Sequence, residues 1–270
     1  MVRHDLISIR NTRGFSLIEL LITLAVVAAL SSMMFPAFAR VHGMARRLMC
    51  QNNMRNLYIA LDAFEQSTGG ARPDSLHVAS ATSKRPTRPQ EFMALSAEND
   101  SGVGSSFVWD GLGQLWRSGG KYIGDASSFY CPAHKSVHTL SNYDTSFSSN
   151  GDGTTGKRSF SAPKGKVYGN YHYWEAWNKA VAARRGAPSG KDAPSVFKDV
   201  LLTDGLRTQL DLNHSAGCNT LKTDGSIEWI GGTTYDLAVR GLPVAQEEAS
   251  PAEQASIFNK LGADFNKLSR

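Results

Sequence analysis

The sequence is poor in cysteine and has no long basic runs. Its 270 residues contain three cysteines, Cys50, Cys131 and Cys218. They allow at most one internal disulfide, which excludes a disulfide-rich scaffold but does not fix the compartment. Lysine and arginine never occur more than two in a row, and the formal net charge is only +5. This pattern predicts a solvated surface, so we expect no nucleic acid as partner.

Charge is almost missing from one stretch near the N-terminus. Between residues 15 and 39 the only charged side chain is Glu19. A helix of this length extends about 37 Å, which exceeds the ~30 Å of a hydrocarbon core. Its Leu, Ile, Val and Phe side chains contribute about 4 to 7 kcal/mol of insertion free energy, whereas Glu19 costs at most about 3 kcal/mol. The stretch therefore predicts a transmembrane helix.

An acid inside a membrane-spanning helix needs a partner, so Glu19 marks a functional position. It lies in residues 13–20, RGFSLIEL, which resemble the cleavage and methylation motif of type IV prepilins and type II secretion pseudopilins. The resemblance implies that prepilin peptidase cuts after Gly14 and methylates Phe15. It also implies that Glu19 pairs with the N-terminal amine of a neighbouring pilin-like subunit. Pro36 falls where many pilins carry a helix-bending proline.

The resemblance divides the chain into a leader (1–14), a transmembrane helix (15–39), a continuation of that helix (40–69) and a globular head (70–270). It implies a single-pass protein of the bacterial inner membrane with a cytoplasmic N-terminus and a periplasmic head, which can be assembled into a filament. Basic residues flank the span on both sides, so the positive-inside rule does not decide the orientation by itself.

Two other interpretations compete for the N-terminal segment. A secretory signal could be cut after Ala39, since residues 37–39 fit the A-x-A pattern, but the apolar stretch exceeds the usual h-region of about 7 to 15 residues. A simple uncleaved anchor is the other alternative. Neither explains Gly14 and Glu19 together.

The helical pattern continues beyond the membrane. Apolar residues recur at steps of three and four up to about Ser67, and Gly69 and Gly70 supply a stop. Short β-like runs follow at 106–109, 129–131, 166–174, 197–203, 217–222 and 226–230. They predict one antiparallel sheet packed on the helix, with loops at 70–105 and 141–165. Ser250 begins a predicted C-terminal amphipathic helix. The expected fold class is α+β and pilin-like.

The last two predicted strands meet at residues 223–225. A three-residue loop with Gly225 in the left-handed conformation would place Leu221 opposite Ile227. In addition, His214, nine intervening residues and Asp224-Gly225 resemble the H-x9-DG signature of a large class of bacterial prepilin-like proteins abundant in planctomycetes. We expect His214 to hydrogen-bond across the hairpin and Asp224 to shape the turn.

Two further segments match the same class, residues 50–57 (CQNNMRNL) and 129–132 (FYCP). Cys50 and Cys131 both fit positions of that class, and an oxidising compartment would permit a disulfide between them. Cys218 would then be a buried strand thiol.

Other candidate chemistry is weaker. Cys131, His134 and His138 have a spacing that could bind zinc, but the sequence offers no fourth ligand at a spacing typical of zinc sites. Residues 151–158 nearly form a P-loop, yet Arg158 replaces the required Ser or Thr. Three residues of one loop could bind calcium through side-chain oxygens, but they lack EF-hand spacing; they are Asp144, Asn150 and Asp152. We therefore expect no metal, no cofactor and no catalytic residue.

The aromatic residues allow two interpretations, a carbohydrate-binding surface or a hydrophobic core. Core packing is the prediction for five tryptophans and two tyrosines: Trp109, Trp116, Trp174, Trp177, Trp229, Tyr171 and Tyr173. The function that follows is a non-catalytic filament or pseudopilus subunit. The alternative is a membrane-anchored periplasmic binding module or enzyme that uses the leader only for delivery and depends on His214 and its surroundings.

Overall fold

The computed structural model describes residues 15–76, 93–99, 106–116, 122–147, 165–174, 199–206, 208–209, 212–214, 216–240 and 242. The chain divides into two compact units, residues 1–45 and 46–270. One helix, α1, runs from Leu17 to Ser67 and contributes residues to both.

In the first unit, α1 is apolar and unburied. Its large apolar side chains, from Leu17 to Met44, are all more than half exposed. The helix is long and apolar enough to cross a membrane, and it is the one such helix in the part of the chain that the structure describes. Such exposure of apolar side chains is expected for a segment whose solvent is lipid.

In the second unit, α1 forms one side of the hydrophobic core. Met54, Leu57 and Leu61 are buried, as the periodicity of the sequence predicts. The helix ends as predicted, because Gly69 and Gly70 adopt positive φ angles and the Gly70 amide donates to the Glu65 carbonyl at 2.8 Å. This pairing closes the last turn in the manner of a glycine C-cap.

The second unit contains two antiparallel sheets among its described residues, where the sequence predicts one. The smaller sheet pairs β1 (Ser96–Asn99) with β2 (Ser106–Trp109). The larger has the order β3-β4-β5-β6, formed by Tyr171–Tyr173, Val200–Asp204, Gly217–Lys222 and Ile227–Gly231. Strand β4 is interior to this sheet and all five of its residues are buried, which explains its nearly continuous apolar run.

The predicted hairpin is confirmed. Leu221 pairs with Ile227, and Gly225 has a φ of +84°. The Gly225 amide donates to the Lys222 carbonyl, and the Lys222 amide donates to the Ser226 carbonyl. A turn followed by a left-handed glycine thus sets the register that buries Leu221.

The prediction of a strand at 129–131 is wrong. Residues Ala126–Phe129 form a 3-10 helix instead, and the Asp125 carboxylate accepts a hydrogen bond from the Ser127 amide at its start. The capping acid and two serines favour a tight turn over a strand. A second 3-10 helix spans Gly111–Leu115.

Two short α-helices complete the described part of the unit, α2 (Leu140–Phe147) and α3 (Thr233–Arg240). Helix α2 begins one residue before the predicted loop 141–165 and replaces its first part. Phe147 holds it in the core by stacking on Trp109 and meeting Trp116 edge-on.

The core prediction for the tryptophans is confirmed at Trp109, Trp116 and Trp174, whereas Trp229 is only partly buried. Trp177 and the predicted helix from Ser250 lie outside the described residues. A long apolar N-terminal helix followed by antiparallel sheets is an α+β layout consistent with a pilin-like fold.

Candidate functional site

The first candidate site is the start of α1. Phe15 is exposed and precedes the helix, and Glu19 lies exposed in its first turn. An acid in the first turn complements the partial positive charge of a helix N-terminus. Glu19 makes no ion pair with any residue that the structure describes. Gly14 and the side chain of Pro36 lie outside the described residues, although the backbone at Pro36 is helical.

The second candidate site lies inside the second unit, where four side chains from four separate segments converge. Cys50 comes from α1, Cys131 from the segment after the 3-10 helix Ala126–Phe129, Asp204 from the end of β4, and His214 from the segment before β5. Their sulfur, carboxylate and imidazole atoms all lie within 4.8 Å of one another. We call these four residues the buried cluster.

Individual contacts within the buried cluster are short. The Cys50 thiol donates to Asp204 Oδ1 at 2.8 Å. His214 Nε2 lies 3.5 Å from Cys131 Sγ and 3.7 Å from Asp204 Oδ2. Cys50, Cys131 and Asp204 are buried, and the side chain of His214 is 9% exposed. A carboxylate and an imidazole are buried in proteins mainly when they are paired, hydrogen-bonded or bound to a metal.

Two asparagines orient the Asp204 carboxylate. Asn219 donates twice to Oδ2, from its backbone amide at 2.6 Å and from Nδ2 at 3.0 Å. Asn213 donates to Oδ1 from its Nδ2 at 3.2 Å. Three hydrogen bonds from two asparagines therefore fix the orientation of the carboxylate.

The electrostatics of the two thiols differ. Burial raises the pKa of Cys50 far above its ordinary value, and the neighbouring Cys131 adds to the shift. The pKa of Cys131 is lowered, because the Cys50 thiol and His214 both hydrogen-bond its sulfur. Burial works to lower the pKa of His214, but the contact with Cys131 and the charge of Asp204 outweigh it and the pKa is raised. Cys131 is thus the thiol of this pair that ionises first.

Aromatic groups enclose the buried cluster. The Tyr171 hydroxyl lies 3.3 Å from Cys50 Sγ, and Trp229 packs edge-on against the His214 ring with 5.5 Å between ring centroids. Arg47 in turn lies over Trp229, 3.9 Å from the ring centroid. The Tyr235 hydroxyl donates to the His214 carbonyl at 2.8 Å, which fixes the backbone there.

The structure separates the residues that the sequence suggested together. His134 contacts Asn213 through Nδ1 and His138 contacts Tyr143, so only Cys131 of the C-x2-H-x3-H pattern belongs to the buried cluster. Cys50 and Cys131 do meet, as free thiols, and their disulfide stays a prediction.

The expected pairing of His214 across the hairpin is wrong, because its ring faces Cys131 and Asp204 instead. The role of Asp224 in the turn is confirmed, since its Oδ1 accepts from the Ser226 amide at 2.8 Å. Cys218 is a buried strand thiol, also as predicted.

Asp204 is the member that sequence reasoning missed. The signal for it is an acid at the end of the apolar run VLLTD, since an acid closing a buried strand has to find partners. No spacing motif joins it to Cys50, Cys131 or His214, because the four residues are brought together only by the tertiary fold.

Comparison with known proteins adds one finding at the N-terminus. The prokaryotic N-terminal methylation motif, as a protein family, matches residues 9–35. No curated protein and no solved structure matches the chain. The chain therefore carries a prepilin-type N-terminal motif that leads into an apolar helix of membrane-spanning length, which supports a single-pass protein anchored in the membrane.

Proposed function

We propose that the chain is a prepilin-like subunit of a type IV pilus or a type II secretion pseudopilus, without catalytic activity of its own. One observation carries the proposal: a methylation motif at residues 9–35 places Glu19 in a helix that has no other charge up to residue 39. In this account prepilin peptidase removes residues 1–14 and methylates Phe15. The N-terminus faces the cytoplasm and the head, residues 70–270, is periplasmic.

Glu19 supplies the assembly chemistry. A carboxylate among apolar side chains is unfavourable in lipid unless a cation meets it. Cleavage after Gly14 creates such a cation, the amine of Phe15, on every processed subunit. Pairing this amine with Glu19 of a neighbouring subunit neutralises both charges. The exposed apolar side chains of residues 17–44 then exchange lipid contacts for contacts with the same surface of other subunits.

The H-x9-DG signature supports a finer assignment, to the class of prepilin-like proteins abundant in planctomycetes. Asp224 and Gly225 form the tight turn between β5 and β6, while His214 lies in the buried cluster. In this proposal the signature maintains the head fold: its DG part sets a strand register and its His part joins two distant segments.

The test is a Glu19→Ala variant expressed in the native cell, with Asp62→Ala as matched control. Asp62 is an exposed acid of the same helix, beyond the apolar segment. Removing one partner of a buried ion pair typically costs about 3 to 5 kcal/mol, so incorporation of Glu19→Ala into filaments should fall tenfold or more. The readout is the ratio of subunit in the sheared surface fraction to subunit in the membrane. Equal ratios for Glu19→Ala and the unchanged protein would refute the proposal.

A second function is favoured by the buried cluster, which brings two thiols, a carboxylate and an imidazole together. This alternative is a membrane-anchored periplasmic binding module or enzyme that uses the prepilin leader only for delivery. It predicts that the Glu19→Ala protein retains full head function in the membrane. It also predicts that His214→Gln abolishes that function while leaving membrane location unchanged.

A further inference from the structure

We propose that the buried cluster is a structural zinc site in which Cys50, Cys131, Asp204 and His214 bind one Zn²⁺. This inference departs from the expectation of no metal drawn from the sequence. It does not depend on the filament function, because every ligand lies in the second unit and none belongs to the methylation motif.

The geometry suits a tetrahedral ion. Zinc binds sulfur at about 2.3 Å and nitrogen or oxygen at about 2.0 to 2.2 Å, so ligand atoms of a tetrahedral site stand about 3.3 to 3.8 Å apart. His214 Nε2 already lies 3.5 Å from Cys131 Sγ, whereas Cys50 Sγ and Asp204 Oδ1, 2.8 Å apart, have to separate slightly. No ligand atoms of the cluster are separated by more than 4.8 Å. Binding therefore requires shifts of about 1 Å or less at side chains held by a rigid surround.

The donor set selects the class of metal. Two thiolates and an imidazole suit a borderline-soft divalent ion, whereas calcium and magnesium prefer oxygen donors. Two thiolates and one carboxylate carry three negative charges, so Zn²⁺ leaves a net charge of −1. This is the net charge of the common Cys3His structural site. Four protein ligands also close the coordination sphere, which indicates a structural rather than a catalytic ion.

The Asp204 carboxylate keeps one acceptor position for a ligand of the cluster. Three donations from Asn213 and Asn219 occupy three of the roughly four lone-pair positions of the Asp204 carboxylate. The remaining position, on Oδ1, faces Cys50. Without a metal, that position takes the thiol hydrogen of Cys50, while Cys131 and His214 Nε2 share a hydrogen bond. One divalent cation would satisfy both sulfurs and the carboxylate at once.

Neighbouring residues form hydrogen bonds that hold the proposed ligands in place, as is usual in metal sites. The Tyr171 hydroxyl stands 3.3 Å from Cys50 Sγ and can donate to it once the sulfur is a thiolate. Asn170 Oδ1 accepts from the Cys131 amide at 3.0 Å and fixes that ligand's backbone. With the two asparagines on Asp204, these contacts hold three of the four ligands in place.

Binding is an acid–base exchange without redox change. Each cysteine that enters as a thiol breaks its S–H bond, forms a Zn–S bond and gives its proton to solvent, while the imidazole enters neutral through Nε2. The ion then links α1 to the end of β4 and to the segments around Cys131 and His214, which are far apart in the chain. Because ligands from four segments meet only in the folded unit, the binding free energy stabilises the head directly.

The experiment uses the full-length protein purified in detergent without chelators. Elemental analysis should find about one zinc per chain, and replacement by Co²⁺ should give the d–d bands of a tetrahedral site with thiolate-to-cobalt charge transfer. Cys131→Ser and His214→Gln should lose the metal. Cys218→Ala is the matched control, because Cys218 is an equally buried thiol outside the cluster and this variant should retain the metal.

The unchanged protein supplies a readout that does not require a variant to fold. Removing the metal with a chelator should lower its melting temperature, and adding Zn²⁺ should restore it. Intact mass without reductant tests the rival disulfide between Cys50 and Cys131. A chain lighter by two hydrogens as isolated would overturn the proposal, and so would a reduced protein that binds neither Zn²⁺ nor Co²⁺ in a one-to-one ratio.

Discussion

Helix α1 carries apolar side chains in two different environments, exposed in the first unit and buried in the core of the second. Leu24, in the first unit, is 57% exposed, whereas Leu57, in the second, is fully buried. Both are leucines within an uninterrupted helix, so helix propensity does not distinguish them. What differs is the rest of the helix surface: one part is apolar all round and the other carries an apolar stripe beside polar and charged residues. The distribution of apolar residues around the whole helix therefore decides whether a part of it faces lipid or a protein core.

The largest effect expected from this comparison is on head stability. Leu57→Ala should lower the free energy of unfolding of the head by about 2 to 5 kcal/mol, because it opens a cavity in the core. Leu48→Ala, at a position of α1 that is 64% exposed, should change it by about 0.5 kcal/mol or less. Thermal unfolding of the detergent-solubilised protein measures both. Equal shifts would mean that the core assigned to this part of α1 is wrong.

The converse substitution tests the membrane part. Leu24→Arg places a charge within the apolar segment and should disfavour insertion by about 3 kcal/mol. Ile59→Arg is the control, since Ile59 is an exposed position of the second unit and should tolerate the charge. Alkaline extraction of membranes gives the inserted fraction of each variant. If both remain equally resistant to extraction, residues 15–39 are not the span.

A smaller effect is expected at the glycines that end elements of the second unit. Gly69 and Gly225 share a positive φ, so replacing either by alanine should cost about 1 kcal/mol. A β-carbon at Gly225 would also stand 2.8 Å from a ring carbon of Tyr58, whereas one at Gly69 meets open space. Gly225→Ala should therefore be the more destabilising of the pair in thermal unfolding. The reverse order would argue against the described packing of the hairpin on α1.

The smallest effect concerns the cap at Asp125. Hydrogen bonds from the Ser127 side chain and amide lower the pKa of this carboxyl below its unfolded value of about 3.9. Its contribution, about 0.5 kcal/mol at this exposed position, is present above about pH 4 and lost as the pH falls through the folded pKa. Asp125→Ala should thus be destabilising at pH 7 and nearly neutral at pH 2. Asp125→Asn keeps an uncharged acceptor and should be the less affected variant at pH 7.

Local patterns of sequence predicted the elements that depend on local forces. The periodicity of Met54, Leu57 and Leu61 gave the buried stripe of α1, and Gly225 gave the register of the last hairpin. The predictions that failed concern segments whose structure depends on tertiary contacts. Residues 129–131 look like a strand but lie at the end of a serine-rich 3-10 helix, and α2 is held in the core by contacts of Phe147 with two distant tryptophans.

The two candidate sites differ in the same way. The N-terminal motif is contiguous, so residues 13–20 suffice to recognise it. The buried cluster is assembled from α1, β4 and two connecting segments, and its spacing in the chain carries no signature. The sequence grouped Cys131 with His134 and His138 by spacing and with Cys50 by resemblance, and of these only Cys50 joins it in the buried cluster. That Asp204 belongs to the cluster is evident only from the fold.

The most direct test of the assembly account is the N-terminus of the mature protein isolated from native membranes, determined by mass spectrometry of its first peptide. The account predicts a chain that begins at Phe15 with a methylated amine, since only cleavage after Gly14 creates the cation that Glu19 requires. A mature chain that keeps residues 1–14, or one that begins at Arg40, would contradict it.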